Sequence, residues 1–146
     1  MSLTSMPLTR EHDATALDIW ERSVRATHTF LSEADIIQLK TEVPFYFTQV
    51  DVSLWYDNDN LIGFSGVVED SLEMLFLDPT YFKQGFGSQI LQRLVAEKNI
   101  MFIDVNEDNP NAVKFYNKNG FEQVDRSAQD GQGRDFPILH LRRATV

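Results

Sequence analysis

The stretch Leu72-Glu73-Met74-Leu75-Phe76-Leu77-Asp78-Pro79-Thr80-Tyr81-Phe82-Lys83-Gln84-Gly85-Phe86-Gly87-Ser88 carries the chain from an apolar run, through a proline break, into a loop with two glycines. Leu72 to Leu77 is short, apolar and bounded by turn residues, which predicts a strand that Asp78 and Pro79 end. Beyond Ser88, Ile90, Leu91, Leu94 and Val95 recur at helical spacing and predict a helix with one apolar face. A strand that delivers a glycine-containing loop to a helix start leaves backbone N–H groups unpaired at the positive end of the helix dipole. A phosphate is favoured there by about 0.3–2 kcal/mol through the dipole alone. By itself, a lone Gly-x-Gly marks a tight strand-to-helix turn more often than a phosphate cradle. Two nucleotide patterns fail on the letters: a dinucleotide fingerprint needs a third glycine where Ile90 stands, and a P-loop needs a Gly-Lys-Ser/Thr run that never occurs.

Upstream, the residues predict a short extended start near Pro7 to Thr9 and a helix carrying Leu17, Trp20 and Val24. A second helix opens on the capping pair Ser32 and Asp35 and is closed by Pro44. Val50 to Tyr56 and Leu61 to Val68 read as strands joined by the polar turn Asp57-Asn58-Asp59-Asn60, and Leu72 to Leu77 follows as the third member of an antiparallel meander. That meander fits poorly with a doubly wound parallel sheet. Downstream, residues 100–105 form a strand, and Asn109 caps a short helix with Pro110 at its first position and Gly120 just past its end. Phe121 to Val124 and Phe136 to Leu141 close the chain as two strands around the loop Gln129 to Arg134.

The 146 residues, 42% of them hydrophobic, suffice for one compact domain spanning 1–146. Met1, Ser2 and Leu3 are left out of the fold reading. No apolar run approaches the roughly eighteen residues of a membrane span, and the first ten residues lack the apolar stretch of a secretory signal. Cysteine is absent, which removes disulfides, a thiolate nucleophile and Cys-containing zinc sites, and three scattered histidines make a poor metal cluster. The expectation is a soluble, cytoplasmic protein without a metal. A net charge of −9 opposes nucleic acid and anionic membranes and mildly favours cationic partners.

The second informative passage is Asn109-Pro110-Asn111-Ala112-Val113-Lys114-Phe115-Tyr116-Asn117-Lys118-Asn119-Gly120-Phe121. Ala112, Phe115 and Tyr116 share a helix face, so a core reading covers the first two and nearly covers the third. The Tyr116 hydroxyl needs a partner, and on this passage alone a backbone hydrogen bond and a catalytic role weigh equally.

Together, Asp78-Pro79 and Gly85-x-Gly87 before an amphipathic helix, then a strand and Asn109-x-x-Ala112-x-x-Phe115-Tyr116-x-x-x-Gly120-Phe121, resemble the GNAT N-acetyltransferase family over essentially the whole chain. The early stretch Arg25 to Ser32 further resembles its YjaB-like bacterial branch. The resemblance implies an α+β, GNAT-like three-layer α/β/α fold with a central mixed, mostly antiparallel sheet of about six or seven strands and about four helices. It implies an enzyme that moves an acetyl group from acetyl-CoA, as co-substrate, to a primary amine by direct attack in a ternary complex. The acceptor would be a small-molecule amine or a peptide or protein amine, and a homodimer is compatible with the sequence.

By the same resemblance, the backbone amides of Gln84, Gly85, Phe86, Gly87 and Ser88 would hold the pyrophosphate of coenzyme A. The backbone of Leu75 and Leu77 would pair with its pantetheine arm, Asn109 would contact the cofactor side, and Tyr116 would sit near the sulfur. A phenol with an ordinary pKa near 10 is protonated at pH 7, so Tyr116 suits the general acid that protonates the departing thiolate. Glu73 is the first choice of base: strand alternation puts it on one face with Leu75 and Leu77. Glu69, Asp70 and His28 are its rivals, although a lone histidine after a helix is more often a packing residue. The acceptor would be recognised by the first two helices, the aromatics Phe45, Tyr46 and Phe47, and the loop Gly131 to Asp135, with Trp20 in the core. The chain departs from the family at Phe82, where Arg or Gln is common three residues before the first glycine; Lys83 and Gln84 are the polar residues nearby. That departure motivates the alternative of a non-catalytic acyl-CoA-binding sensor.

Overall fold

The computed structural model describes residues 3–144. Met1 and Ser2, left out above, lie outside the described residues, whereas Leu3 opens the first strand, β1 (Leu3–Pro7). The helices α1 (Asp13–Thr27) and α2 (Glu33–Phe47) follow, then β2 (Asp51–Asp57), β3 (Asn60–Val68) and β4 (Ser71–Leu77). The remaining elements are α3 (Phe86–Lys98), β5 (Phe102–Asn106), α4 (Pro110–Lys118), β6 (Phe121–Ser127) and β7 (Ile138–Arg143). Four helices and a seven-stranded mixed sheet, with hydrogen-bonded order β1-β2-β3-β4-β5-β7-β6, match the expected fold class. Short 3-10 turns at Arg10–His12 and Pro79–Tyr81 were not read from the sequence.

The chain divides into two compact units. One takes the chain up to Val68 together with Glu73–Gly87; the other takes Glu69–Leu72 and the chain from Ser88 onward.

In the first unit, β1 pairs antiparallel with β2, and β2 with β3 across the Asp57 to Asn60 turn. Ala16, Ile19, Trp20 and Val24 of α1 and Ile36, Val43 and Phe47 of α2 pack on Val52, Leu54 and Phe64, with Met74 and Phe76 of β4 against the same cluster. At about 25 cal/mol per Å2 of apolar surface removed from water, each buried Val, Leu, Ile or Phe here contributes about 1.5–3 kcal/mol before entropy is charged. Gly63 is fixed by packing: a Cβ there would lie 2.4 Å from the Phe76 carbonyl oxygen.

Ser32 opens α2 as expected. Its hydroxyl accepts from the Asp35 N–H at 3.0 Å, and the Asp35 carboxylate accepts from the Ser32 N–H at 3.0 Å, a reciprocal capping box. Pro44 does not close the helix, which runs on to Phe47. The proline is exposed, only one turn remains after it, and the buried side chains of Val43 and Phe47 hold that turn to the core. Phe47 therefore parts from Phe45 and Tyr46: it packs edge-on against Phe64 at 5.5 Å, while Phe45, 62% exposed, meets Tyr46 edge-on at 5.9 Å.

In the second unit, β5 pairs antiparallel with β7 and β7 with β6, while Ser71 and Leu72 of β4 pair parallel with Phe102 and Ile103 of β5. Ile90, Leu91 and Leu94 of α3, Ile103 and Val105 of β5, Phe121, Leu139 and Leu141 are buried. Asn109 caps α4 through its side-chain oxygen, which accepts from Ala112 N–H at 3.3 Å, and Gly120 takes the left-handed φ of 92° just past the helix end.

Candidate active site

The glycine loop of the first unit is built from its base. Asp78 caps the 3-10 turn, Oδ1 accepting from the Thr80 N–H at 3.0 Å, and Oδ2 accepts from Arg22 Nη1 of α1 at 2.5 Å. Burial pushes the Asp78 carboxyl up, but the bonds from Thr80 and Arg22 outweigh it and hold the group below its ordinary value. Phe86 is buried edge-on to Tyr81 at 6.1 Å, which pins the far end. Between these anchors Lys83, Gln84 and Gly85 are exposed, and Lys83 and Gly85 have left-handed φ values of 61° and 85°.

Helix α3 begins at Phe86, so its N-cap residue, Gly85, has no side chain with which to satisfy the first amides. The residues present thus fit an anion delivered to the N–H groups at this helix start. Gln84 folds back, its Nε2 donating to the Thr80 carbonyl at 3.0 Å. Lys83 is exposed and makes no ion pair among the described residues. On β4, Leu75 and Leu77 are half-buried, and they lie beyond the two residues that pair with β5. Glu73 is exposed and has no partner among the described residues.

Two rivals for the base, Glu69 and Asp70, lie in the turn before β4. Glu69 has a φ of 53° there, and the Asp70 carbonyl accepts from Met101 and Phe102 N–H groups. His28 ends α1 against Phe30 and Phe76, and burial pulls its pKa down to about 4. The Thr27 hydroxyl donates to the Ser23 carbonyl, so the His28 Nδ1–H donates to Thr27 Oγ1 at 2.7 Å. It is a neutral packing residue.

In the second unit, Ser88 is held at its side chain by Asn119 Nδ2 at 3.3 Å. Asn109 is 7% exposed with its side-chain oxygen committed to the cap. Tyr116 is 9% exposed, and its ring meets Phe115 at 5.2 Å. Its hydroxyl makes no hydrogen bond among the described residues, yet is not sealed from solvent, which removes the backbone-bonded alternative left open by the sequence. Burial pushes its pKa upward, so the phenol keeps its proton throughout the neutral range.

The loop anchor Arg22 escaped sequence reasoning. Asp78-Pro79-Thr80 carries the local signal of a capped turn, but Arg22 lies 56 residues away and no spacing rule connects the two. Trp20 is core, as expected, and the late loop among the acceptor candidates is ordered by Asp130, whose Oδ1 accepts from the Gln132 and Arg134 N–H groups.

Residues 50–123 match the model of the acetyltransferase (GNAT) domain. The peptidyl-lysine N-acetyltransferase YjaB of Salmonella typhimurium is 36% identical over 126 residues, 84% of this chain and 86% of that protein. YjaB of Escherichia coli is 33% identical over 84% of each. The solution structure of apo-form Escherichia coli YjaB superposes with a TM-score of 0.90 over 100% of both chains at 28% identity. The PaiA N-acetyltransferase of Thermoplasma acidophilum, solved in complex with coenzyme A, shares the fold, with a TM-score of 0.71 at 22% identity over 96% of this chain and 98% of that one.

The chain belongs to the GNAT acetyltransferase family. It is accordingly an N-acetyltransferase with acetyl-CoA as acyl donor. Among the described residues no helix is long and apolar enough to cross a membrane.

Proposed function

We propose that this chain acetylates lysine side chains of peptides or proteins in the cytoplasm, working as a single domain over 1–146. The lysine acceptor is supported by the two relatives of more than 30% identity, both named for peptidyl-lysine, and by a net charge of −9 that favours a cationic acceptor. The single-domain reading is supported by the family match, which draws on residues of both units.

The observation that carries the catalytic reading is Tyr116, a buried side chain whose protonated hydroxyl has no partner among the described residues. Bound acetyl-CoA supplies an activated thioester. The amides of Gln84, Gly85, Phe86, Gly87 and Ser88 bind its pyrophosphate, the backbone of Leu75 and Leu77 lines up the pantetheine arm, and buried Asn109 shapes the approach through its cap of α4. A lysine amine with a pKa near 10.4 is neutral in only about 0.04% of molecules at pH 7, so a proton must leave before attack. Glu73, an exposed carboxylate, takes that proton directly or through water. Tyr116 holds the proton that the departing sulfur requires.

The test is a panel of lysine peptides, free amino acids and polyamines assayed for thiol release, with the product mapped by mass spectrometry. Peptides acetylated at the lysine side chain are expected to lead the panel. Turnover confined to polyamines would refute the peptide acceptor, and coenzyme A binding without any acetylated product would put the sensor reading in its place.

A further inference from the structure

Three side chains outside the proposed acetyl-CoA site form a relay across β5, β7 and β6. The Asp104 carboxylate lies 2.6 Å from His140 Nδ1, and His140 Nε2 lies 2.7 Å from Ser127 Oγ. A carboxylate only accepts, so in the neutral form of the ring Nδ1–H donates to Asp104 and the Nε2 lone pair accepts the Ser127 hydroxyl proton. A nucleophile, a base within hydrogen-bond reach and a third group that fixes the tautomer of that base are the working parts of serine acyl transfer.

The backbone builds this arrangement through one irregularity. Asp104 stands opposite His140 in the β5–β7 register, so both side chains share a face of the sheet. On β6, Gln123 stands opposite Leu141, whose side chain is on the buried face. Uninterrupted alternation would carry Asp125 and Ser127 to that same buried face. A register shift between Gln123 and Asp125 instead sets Asp125 opposite His140 and Ser127 opposite Ile138, which turns Ser127 onto the face of His140 and Asp104. The site is reachable from solvent: the His140 and Asp104 side chains are 32% and 55% exposed.

We propose that Ser127, His140 and Asp104 constitute a second acyl-transfer site, in which Ser127 takes the acyl group of small activated esters and releases it to water. Ser127 Oγ attacks the ester carbonyl carbon as its proton passes to His140 Nε2. The bond between the acyl carbon and the leaving oxygen breaks, and the alcohol departs with that proton. Water then attacks the acyl-Ser127 ester, giving up a proton to His140, and the carboxylic acid leaves as Ser127 recovers its own. Ester and water are consumed; alcohol and acid are formed. An open, hydrated face stabilises developing charge weakly, so turnover is slow, and the better leaving group of an activated ester lets acylation outrun hydrolysis of the acyl-serine.

The probe is p-nitrophenyl acetate, used without coenzyme A so that the outcome is separable from N-acetylation. The expected result is an acetyl group mapped to Ser127 and nitrophenol release at least about tenfold faster than in Ser127→Ala, with a comparable loss in Asp104→Asn. A second measurement exploits the absence of cysteine from the chain. Ser127→Cys introduces a single thiol, and its alkylation by iodoacetamide is expected to run about tenfold faster than in the same variant carrying His140→Gln. Equal alkylation rates in those two variants would overturn the proposal, as would ester cleavage by Ser127→Ala at the rate of the unmodified protein.

Discussion

Burial and the missing hydrogen bond act together at Tyr116: the first holds its proton in place, and the second leaves the hydroxyl available. Tyr116→Phe removes one oxygen and opens no cavity. It is expected to lower kcat about 100-fold, leave the KM for acetyl-CoA nearly unchanged and keep the thermal midpoint at or above that of the parent. Thiol-release kinetics beside a melting curve separate these effects; a large fall in midpoint would mean that the hydroxyl holds the fold rather than a proton for transfer. Lys83 invites a binding experiment. With Phe82 contributing no charge and Gln84 tied to the Thr80 carbonyl, Lys83 is the cation of the loop. Lys83→Glu is expected to weaken coenzyme A binding by calorimetry about fivefold or more at low salt, and Gln84→Ala by less.

At the scale of elements, the capping box sets where α2 begins. Ser32→Ala leaves the Asp35 N–H without its acceptor and is expected to cost about 1 kcal/mol in chemical denaturation, with Ser32→Asp largely restoring it. This start was legible because both partners lie within one turn. The α4 boundaries at Asn109 and Gly120 and the polar turn between β2 and β3 were legible for the same reason. The sequence misled where a local rule met a tertiary one. Pro44 reads as a stop, but the core positions of Val43 and Phe47 carry the helix one turn further. Phe45 and Phe47 read as one aromatic cluster, yet residues two apart on a helix face different ways, so one is core and the other is exposed. The Arg22–Asp78 anchor and the β6 bulge that turns Ser127 were invisible, since long-range contacts and strand register leave no fixed spacing in the chain.

For the molecule as a whole, acidity is set against a histidine that refuses a proton. His28 titrates near 6.5 in an unfolded chain and is held down to about 4 by burial in the folded one. Between those values the unfolded chain binds a proton that the folded chain does not, so the free energy of unfolding rises with pH across that window. The contribution is fully present above about 6.5 and lost as pH falls toward 4, and it amounts to no more than about 3 kcal/mol. The carboxyls of Glu21, beside Lys40 and Arg25, Glu33, beside Arg25, and Glu107, beside Arg126, are also held low, and they act in the same direction. Their window lies below about 4.5, and Glu33 and Glu107 are too exposed to add much. The interval from about 5 to 6.5 lies above the window of those carboxyls and inside that of His28. Trp20 and Trp55, the two tryptophans of the chain, lie in the same unit as His28, so their fluorescence in urea reports the unfolding of that unit. The midpoint is expected to climb more steeply with pH over this interval in the parent than in His28→Gln; equal slopes would show that His28 titrates freely in the folded state.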